Sequence, residues 1–154
     1  RDFMFRIFWL IIVILFSALF PSQDALNKVP AGYVSKVEHM DPNGFQDYTD
    51  YCKYVYSSSE IFENNGNYKT VTEEDAEMLE GYFRDFRAWM ETEERLSEFD
   101  FDFECINAGD FFDIKLKNSF SDYDNYTVWF FDKETCTLYY IHQNKCIRWI
   151  LVYL

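Results

Sequence analysis

Histidine and base are both scarce in this chain. His39 and His142 are the only histidines among 154 residues, and 14 Lys and Arg face 27 Asp and Glu. No glycine-rich phosphate loop, nucleophile elbow or H-E-x-x-H is present, which excludes the common sequence-legible routes to phosphoryl transfer, acyl transfer and zinc hydrolysis. A Cys–His pair, such as Cys146 with His142, needs a third orienting group and a pocket. The spacing indicates neither. Cys52, Cys105, Cys136 and Cys146 lie far apart, with no C-x-x-C and no histidine at zinc-site spacing. Outside a cell they could form two bridges in three connectivities, or stay as core thiols.

The charge deficit excludes a second class. The formal net charge is −13, and without the first twenty residues, which carry Arg1, Arg6 and Asp2, it is −14. Such a surface repels phosphate backbones and anionic headgroups, so no nucleic-acid partner is expected. What the chain does have is aromatic bulk: 21% of residues, with 17 Phe and 12 Tyr. Each ring buries a large area, enough to fill the core of one domain.

Ile7 to Phe20, IFWLIIVILFSALF, carries no charge and would make about 21 Å of helix. Counted from Phe3, with Arg6 snorkelling to the headgroups, it reaches about 27 Å. Residues 1–20 are therefore predicted to be an uncleaved signal anchor, a single-pass transmembrane helix that meets the membrane through residues 3–20. A cleaved signal needs small residues at −3 and −1, and Ser17 to Ser22 offers no good pair. Arg1 and Arg6 precede the run and only Lys28 follows closely. The positive-inside rule then puts the C-terminal domain outside the cytoplasm of a cell membrane.

Residues 21–44, with Pro21, Pro30 and Gly32, read as a stalk. Residues 45–154 read as the extracytoplasmic domain. Within it Phe45 to Tyr56 fits neither period and is predicted as a short helix or irregular segment. Thr72-Glu73-Glu74-Asp75 is an N-cap with three acids in the first turn, Asp75 approximating a capping box. Met78, Leu79, Tyr82, Phe83, Phe86, Trp89 and Met90 recur at helical spacing and are predicted to be buried. The period then switches to two: strands are predicted at 99–106, 111–117, 126–132 and 136–142, with a fifth at 147–154. The fold class expected is α+β, one long amphipathic helix packed on an antiparallel sheet of four or five strands.

Two acidic stretches are the candidate metal sites. In 98-EFDFDFEC-105 the phenylalanines alternate with acids, so an extended segment would align Glu98, Asp100, Asp102 and Glu104 on one face, the last three being the candidate ligands. Residues two apart lie roughly 6.6–6.8 Å from each other, near enough for two carboxylates to share calcium. Calcium wants six to eight oxygens from a wrapping loop, however, and Lys115 or Lys117 on a neighbouring strand could neutralise the row instead. Asp122 and Asp124 sit in a second acidic loop that lacks the glycine and distal glutamate of an EF-hand. The wet face of a strand is the preferred reading of the first stretch, and a polar turn of the second. No cofactor is expected. Asn125-Tyr126-Thr127 is a glycosylation sequon.

DYTDYCKY (47–54), FRAWM (86–90), GDFFDIK (109–115) and YDNYTVWFFDKETCTLYYIHQN (123–144) together resemble a set of small bacterial proteins with an N-terminal membrane anchor. The resemblance covers most of residues 45–144, departs after Asn144, and implies an anchored bacterial protein without implying an activity. The first functional expectation is a membrane-anchored binding domain, its partner another membrane or envelope protein. A calcium-dependent sensing or adhesion module comes second, and a hydrolase with a site not legible in the sequence comes third.

Overall fold

Two stretches expected to be irregular join the later strands in one sheet. The computed structural model describes residues 26–41, 48–116 and 125–144. Its elements are β1 (Ser35–His39), β2 (Tyr48–Val55), α1 (Glu60–Glu63), β3 (Lys69–Thr70), α2 (Glu73–Thr92), β4 (Phe111–Leu116), β5 (Asn125–Asp132) and β6 (Thr137–Asn144). All six strands form a single sheet in the order β1-β2-β6-β5-β4-β3, antiparallel throughout.

The expected α+β domain of four or five strands is thereby corrected to a six-stranded antiparallel sheet with few helices. Residues 35–39, assigned to the stalk, are strand β1, and the compact unit begins at Gly32. Residues 48–55, predicted as helix or irregular, are strand β2. The physical reason is that β2 is buried on both faces: Tyr51 points one way, Tyr48, Cys52 and Tyr54 the other. A strand covered on both sides loses the alternation of apolar and polar residues that marks a half-exposed one. The apolar run 7–20 and the tail 147–154 lie outside the described residues. Among those described, no helix is long and apolar enough to cross a membrane.

Helix α2 starts where its local chemistry requires. Thr72 Oγ1 accepts from the Asp75 amide at 3.2 Å, and the Asp75 carboxylate accepts from the Thr72 amide at 3.0 Å, a full capping box. Leu79, Tyr82, Phe83, Phe86 and Met90 turn inward against Tyr51, Phe112, Tyr126, Val128, Phe130 and Ile141 of the sheet. Trp89 and Met78 depart from the predicted stripe. Trp89 is only half-buried and Met78 is exposed, because the stripe narrows to the residues that face the sheet.

The predicted strand at 99–106 is also corrected. The segment pairs with no described strand; the chain here runs as two single 3₁₀ turns, Leu96–Glu98 and Phe103–Cys105, with extended residues between them. Phe99 and Phe101 are buried, and Phe101 stacks on Phe83 with centroids 3.8 Å apart. Alternation here records one-sided burial of an extended chain. Its backbone is satisfied locally instead, by Phe99 N–H to Leu96 O at 3.1 Å and Cys105 N–H to Asp102 O at 3.2 Å.

The opposite face of the sheet, carrying Cys52, Tyr54, Trp129, Phe131, Leu138 and Tyr140, is buried too. At one end Phe62 of α1 stacks on Phe131 at 3.8 Å, with Tyr56 and Tyr68 edge-on to Phe62. Phe83→Ala is expected to cost about 3–5 kcal/mol, as for other fully buried phenylalanines. Trp89→Ala should cost about 1 kcal/mol, the ordinary value for a half-exposed position. Denaturant unfolding of the two variants checks the order; equal losses would mean that the indole is as deep in the core as Phe83.

Candidate functional site

Asp100, at the centre of the acidic row, is already engaged. Its Oδ1 accepts from the Tyr51 hydroxyl at 2.8 Å, and its Oδ2 is bonded by the Lys53 ammonium. Burial opposes ionisation of Asp100, yet Lys53 and Tyr51 outweigh it and hold the carboxyl below its usual range. Asp102 accepts from the Glu104 amide at 3.0 Å, capping the second 3₁₀ turn, and both side chains are exposed. The neutralising base is thus Lys53 of β2, where Lys115 or Lys117 was expected. Asp122, Asp124 and Lys117 lie outside the described residues. Among those described, no group of three or more His, Cys, Asp or Glu is gathered as a metal would require.

His142 sits in a polar patch on the opposite sheet face. Strand register places Asp50, His142 and Thr127 side by side on β2, β6 and β5. His142 Nδ1 lies 3.6 Å from Asp50 Oδ2, and its Nε2 lies 3.4 Å from the Tyr48 hydroxyl. Asp50 Oδ1 also accepts from the Asp41 amide at 2.8 Å. Nε2 therefore has the Tyr48 hydroxyl as a partner, while the buried Nδ1 faces Asp50 without a hydrogen bond. The neighbouring Cys52 thiol is pushed up to about 12 by burial, and its Sγ lies 3.6 Å from Met40 Sδ. A thiol so shifted is protonated at neutral pH and unreactive. Among the described residues, the patch has the residue types of a hydrolytic site without an exposed nucleophile beside them. Cys52, Cys105 and Cys136 are all free thiols, and Cys146 is outside the described residues. Asn125 of the sequon is buried in β5, a poor acceptor for a glycan.

Among the described residues, several exposed apolar side chains gather at the β1 edge. β1 pairs with β2 on one side, and no described strand meets its other side. Val37 of β1 is 45% exposed, and beside the strand Val34 is 67% exposed, Met40 40% and Tyr33 39%. Between them, Lys36 Nζ donates to Glu38 at 2.7 Å, and the ammonium holds the Glu38 carboxyl below its usual range. Tyr54 of β2 donates to the other Glu38 oxygen at 2.9 Å.

Arg95 pins the far end of this edge. Just beyond α2 the chain takes a left-handed turn at Glu94, with φ of 60°, which sends the Arg95 guanidinium back under the sheet. It donates to Thr49 O at 2.8 Å, to His39 O at 3.4 Å and to Glu98 at 2.7 Å, with Asp41 3.7 Å away. One side chain thereby joins the end of α2 to the last residue of β1 and the start of β2. None of these roles was assigned from the sequence. A signal for β1 existed, in the short run Val34 to Met40 bounded by Gly32 and Pro42; for the link from Arg95 to the edge there was none, since Thr49 O and His39 O are remote from it in the chain.

Comparison with protein-family models, curated proteins and solved structures gives no significant match to this chain.

Two outcomes follow from the geometry. Several millimolar calcium should raise the melting temperature no more than magnesium does, since Lys53 already satisfies Asp100. A calcium-selective rise that Asp100→Asn abolishes would restore the row as a cation site; the titration must reach about 10⁻³ M, where extracellular sites are tuned. Arg95→Met should lower stability by about 2 kcal/mol, a value usual for a charged hydrogen-bonding group. It should also quicken amide exchange in β1. Unchanged β1 exchange would mean that β2 alone holds the edge.

Proposed function

We propose that this protein is a membrane-anchored binding domain that meets a protein partner outside the cytoplasm through the open edge of β1. The observation that carries this reading is the edge itself. An unpaired strand is a template for another strand, and folded domains commonly blunt such edges by shortness, charge or cover. β3, at the other end of the sheet, is blunted in that way: it is two residues long and starts with Lys69. β1 is five residues long, exposes Val37 at its centre, and is flanked by the exposed Val34 and Met40. Strand addition derives affinity from main-chain hydrogen bonds and specificity from alternate side chains. The anchor reading supports the location, since residues 1–20 carry the apolar run and the arginine flank of a signal anchor.

The test is a photoactivatable residue placed at position 37 of the full chain in intact cells. A discrete protein adduct is expected there, and none from the same probe at Glu77 on the exposed side of α2. Protease added outside should destroy the adduct without permeabilisation. Equal labelling from both positions would overturn binding at the edge, and an adduct protected until permeabilisation would overturn the orientation.

A further inference from the structure

Resting on that reading, we infer that the partner of the β1 edge is a second copy of this chain, paired β1 to β1 about a two-fold axis through Val37. Two identical strands can pair antiparallel with their sheets continuous only when residues opposite each other lie on the same face, so the axis must pass through a residue. Each choice of residue gives one register, and the side chains distinguish them.

With the axis at Val37, Lys36 lies opposite Glu38 of the second copy, and Glu38 opposite its Lys36. Val34 then meets Met40, and Val37 meets Val37, so every exposed apolar side chain of Val34–Met40 gains an apolar partner. Ser35 falls opposite His39. Moving the axis one residue back sets Lys36 against Lys36; moving it one residue on sets Glu38 against Glu38. Like charges directly opposite destabilise a strand pair, and opposite charges and β-branched pairs stabilise it. One register alone is complementary in both charge and hydrophobicity.

The lysine that would otherwise guard the edge supports this arrangement. Lys36 and Glu38 are two residues apart on one face and already joined within the chain at 2.7 Å. Pairing about Val37 extends them into a four-charge cluster with no net charge, so the −14 of the domain is not concentrated at the contact. Arg95, through His39 O, holds the end of β1 in place, so the edge is ordered before a copy arrives and less entropy is lost on pairing. The product is one continuous antiparallel sheet through both molecules, with both α2 helices on the same side.

Full-length chains carrying two different tags are coexpressed and kept in their membranes for the test. With Val37→Cys in both, a short bismaleimide should give a mixed-tag dimer well above that from the native cysteines. Ser35→Cys in one chain and His39→Cys in the other should crosslink, and Ser35→Cys in both should not. The charges give a second arm. K36E alone, or E38K alone, should reduce the Val37→Cys dimer about tenfold, because two attractive pairs become repulsive. Mixing K36E chains with E38K chains should restore it, since every opposed pair is then of opposite sign. Lys36 is exposed, so K36E leaves the fold intact, and intrinsic tryptophan fluorescence checks E38K, which loses the Tyr54 bond. Absence of a mixed-tag dimer, or failure of the mixed charge variants to recover it, overturns self-pairing. If the probe at position 37 still captures a different protein, binding at the edge survives and the second copy is excluded. If it captures none, both readings fall.

Discussion

A slab of stacked and edge-on aromatic rings between α2 and the sheet carries the rest of this domain. Phe83 and Phe101 lie face to face, Tyr139 and Phe130 meet Phe101 edge-on, and Phe86, Phe99 and Tyr51 continue the slab towards β2. Such pairs add about 0.5–1.5 kcal/mol each beyond the area they bury. Their rigidity matters as much as their energy. Rings that interlock in this way admit one placement of α2 and hold the strandless segment 99–105 against the helix without any ladder.

The same slab dictates where charge goes. A buried tyrosine needs a partner for its hydroxyl, and acids supply it at the rim. Tyr51 reaches Asp100, and Tyr126 lies 2.9 Å from both Asp85 and Gln143. Desolvation raises the Tyr51 hydroxyl well above its ordinary range, with Asp100 adding to the shift, so it stays a neutral donor at any physiological pH. Part of the acid surplus is therefore structural. Asp132 works in the same way at the β5–β6 turn, accepting from Glu134 N–H at 2.8 Å and Thr135 Oγ1 at 2.6 Å, and Asp110 accepts from the Lys133 amide at 3.0 Å.

Where β2, β6 and β5 are buried on both faces, the sheet has its edges left for association. That constraint links the fold to the proposed function: the long faces serve the core, β3 is too short to recruit a strand, and β1 remains. Arg95 makes the link mechanical. By bonding Thr49 O and His39 O it couples the end of α2 to the edge, so whatever holds α2 also orders β1.

The elements legible in the sequence were those whose physics closes within a few residues. The Thr72–Asp75 capping box spans three positions, and strands β4, β5 and β6 announced themselves by apolar runs between polar turns. Elsewhere a true local pattern was given the wrong partner. The alternation of Phe99, Phe101 and Phe103 reported one buried side correctly and implied a strand wrongly, because burial against a helix and burial in a sheet leave the same two-residue trace. Asp100 was recognised as a carboxylate needing a cation, but the cation came from Lys53, brought beside it by the fold. β1 and β2 were lost for opposite reasons: β2 is covered on both faces and shows no period, while β1 is exposed on both faces and shows none either. Strand pairing, the neighbour of each charge and the openness of an edge depend on which distant segments meet. No window of the chain contains that information; it exists only once the aromatic slab has brought those segments together.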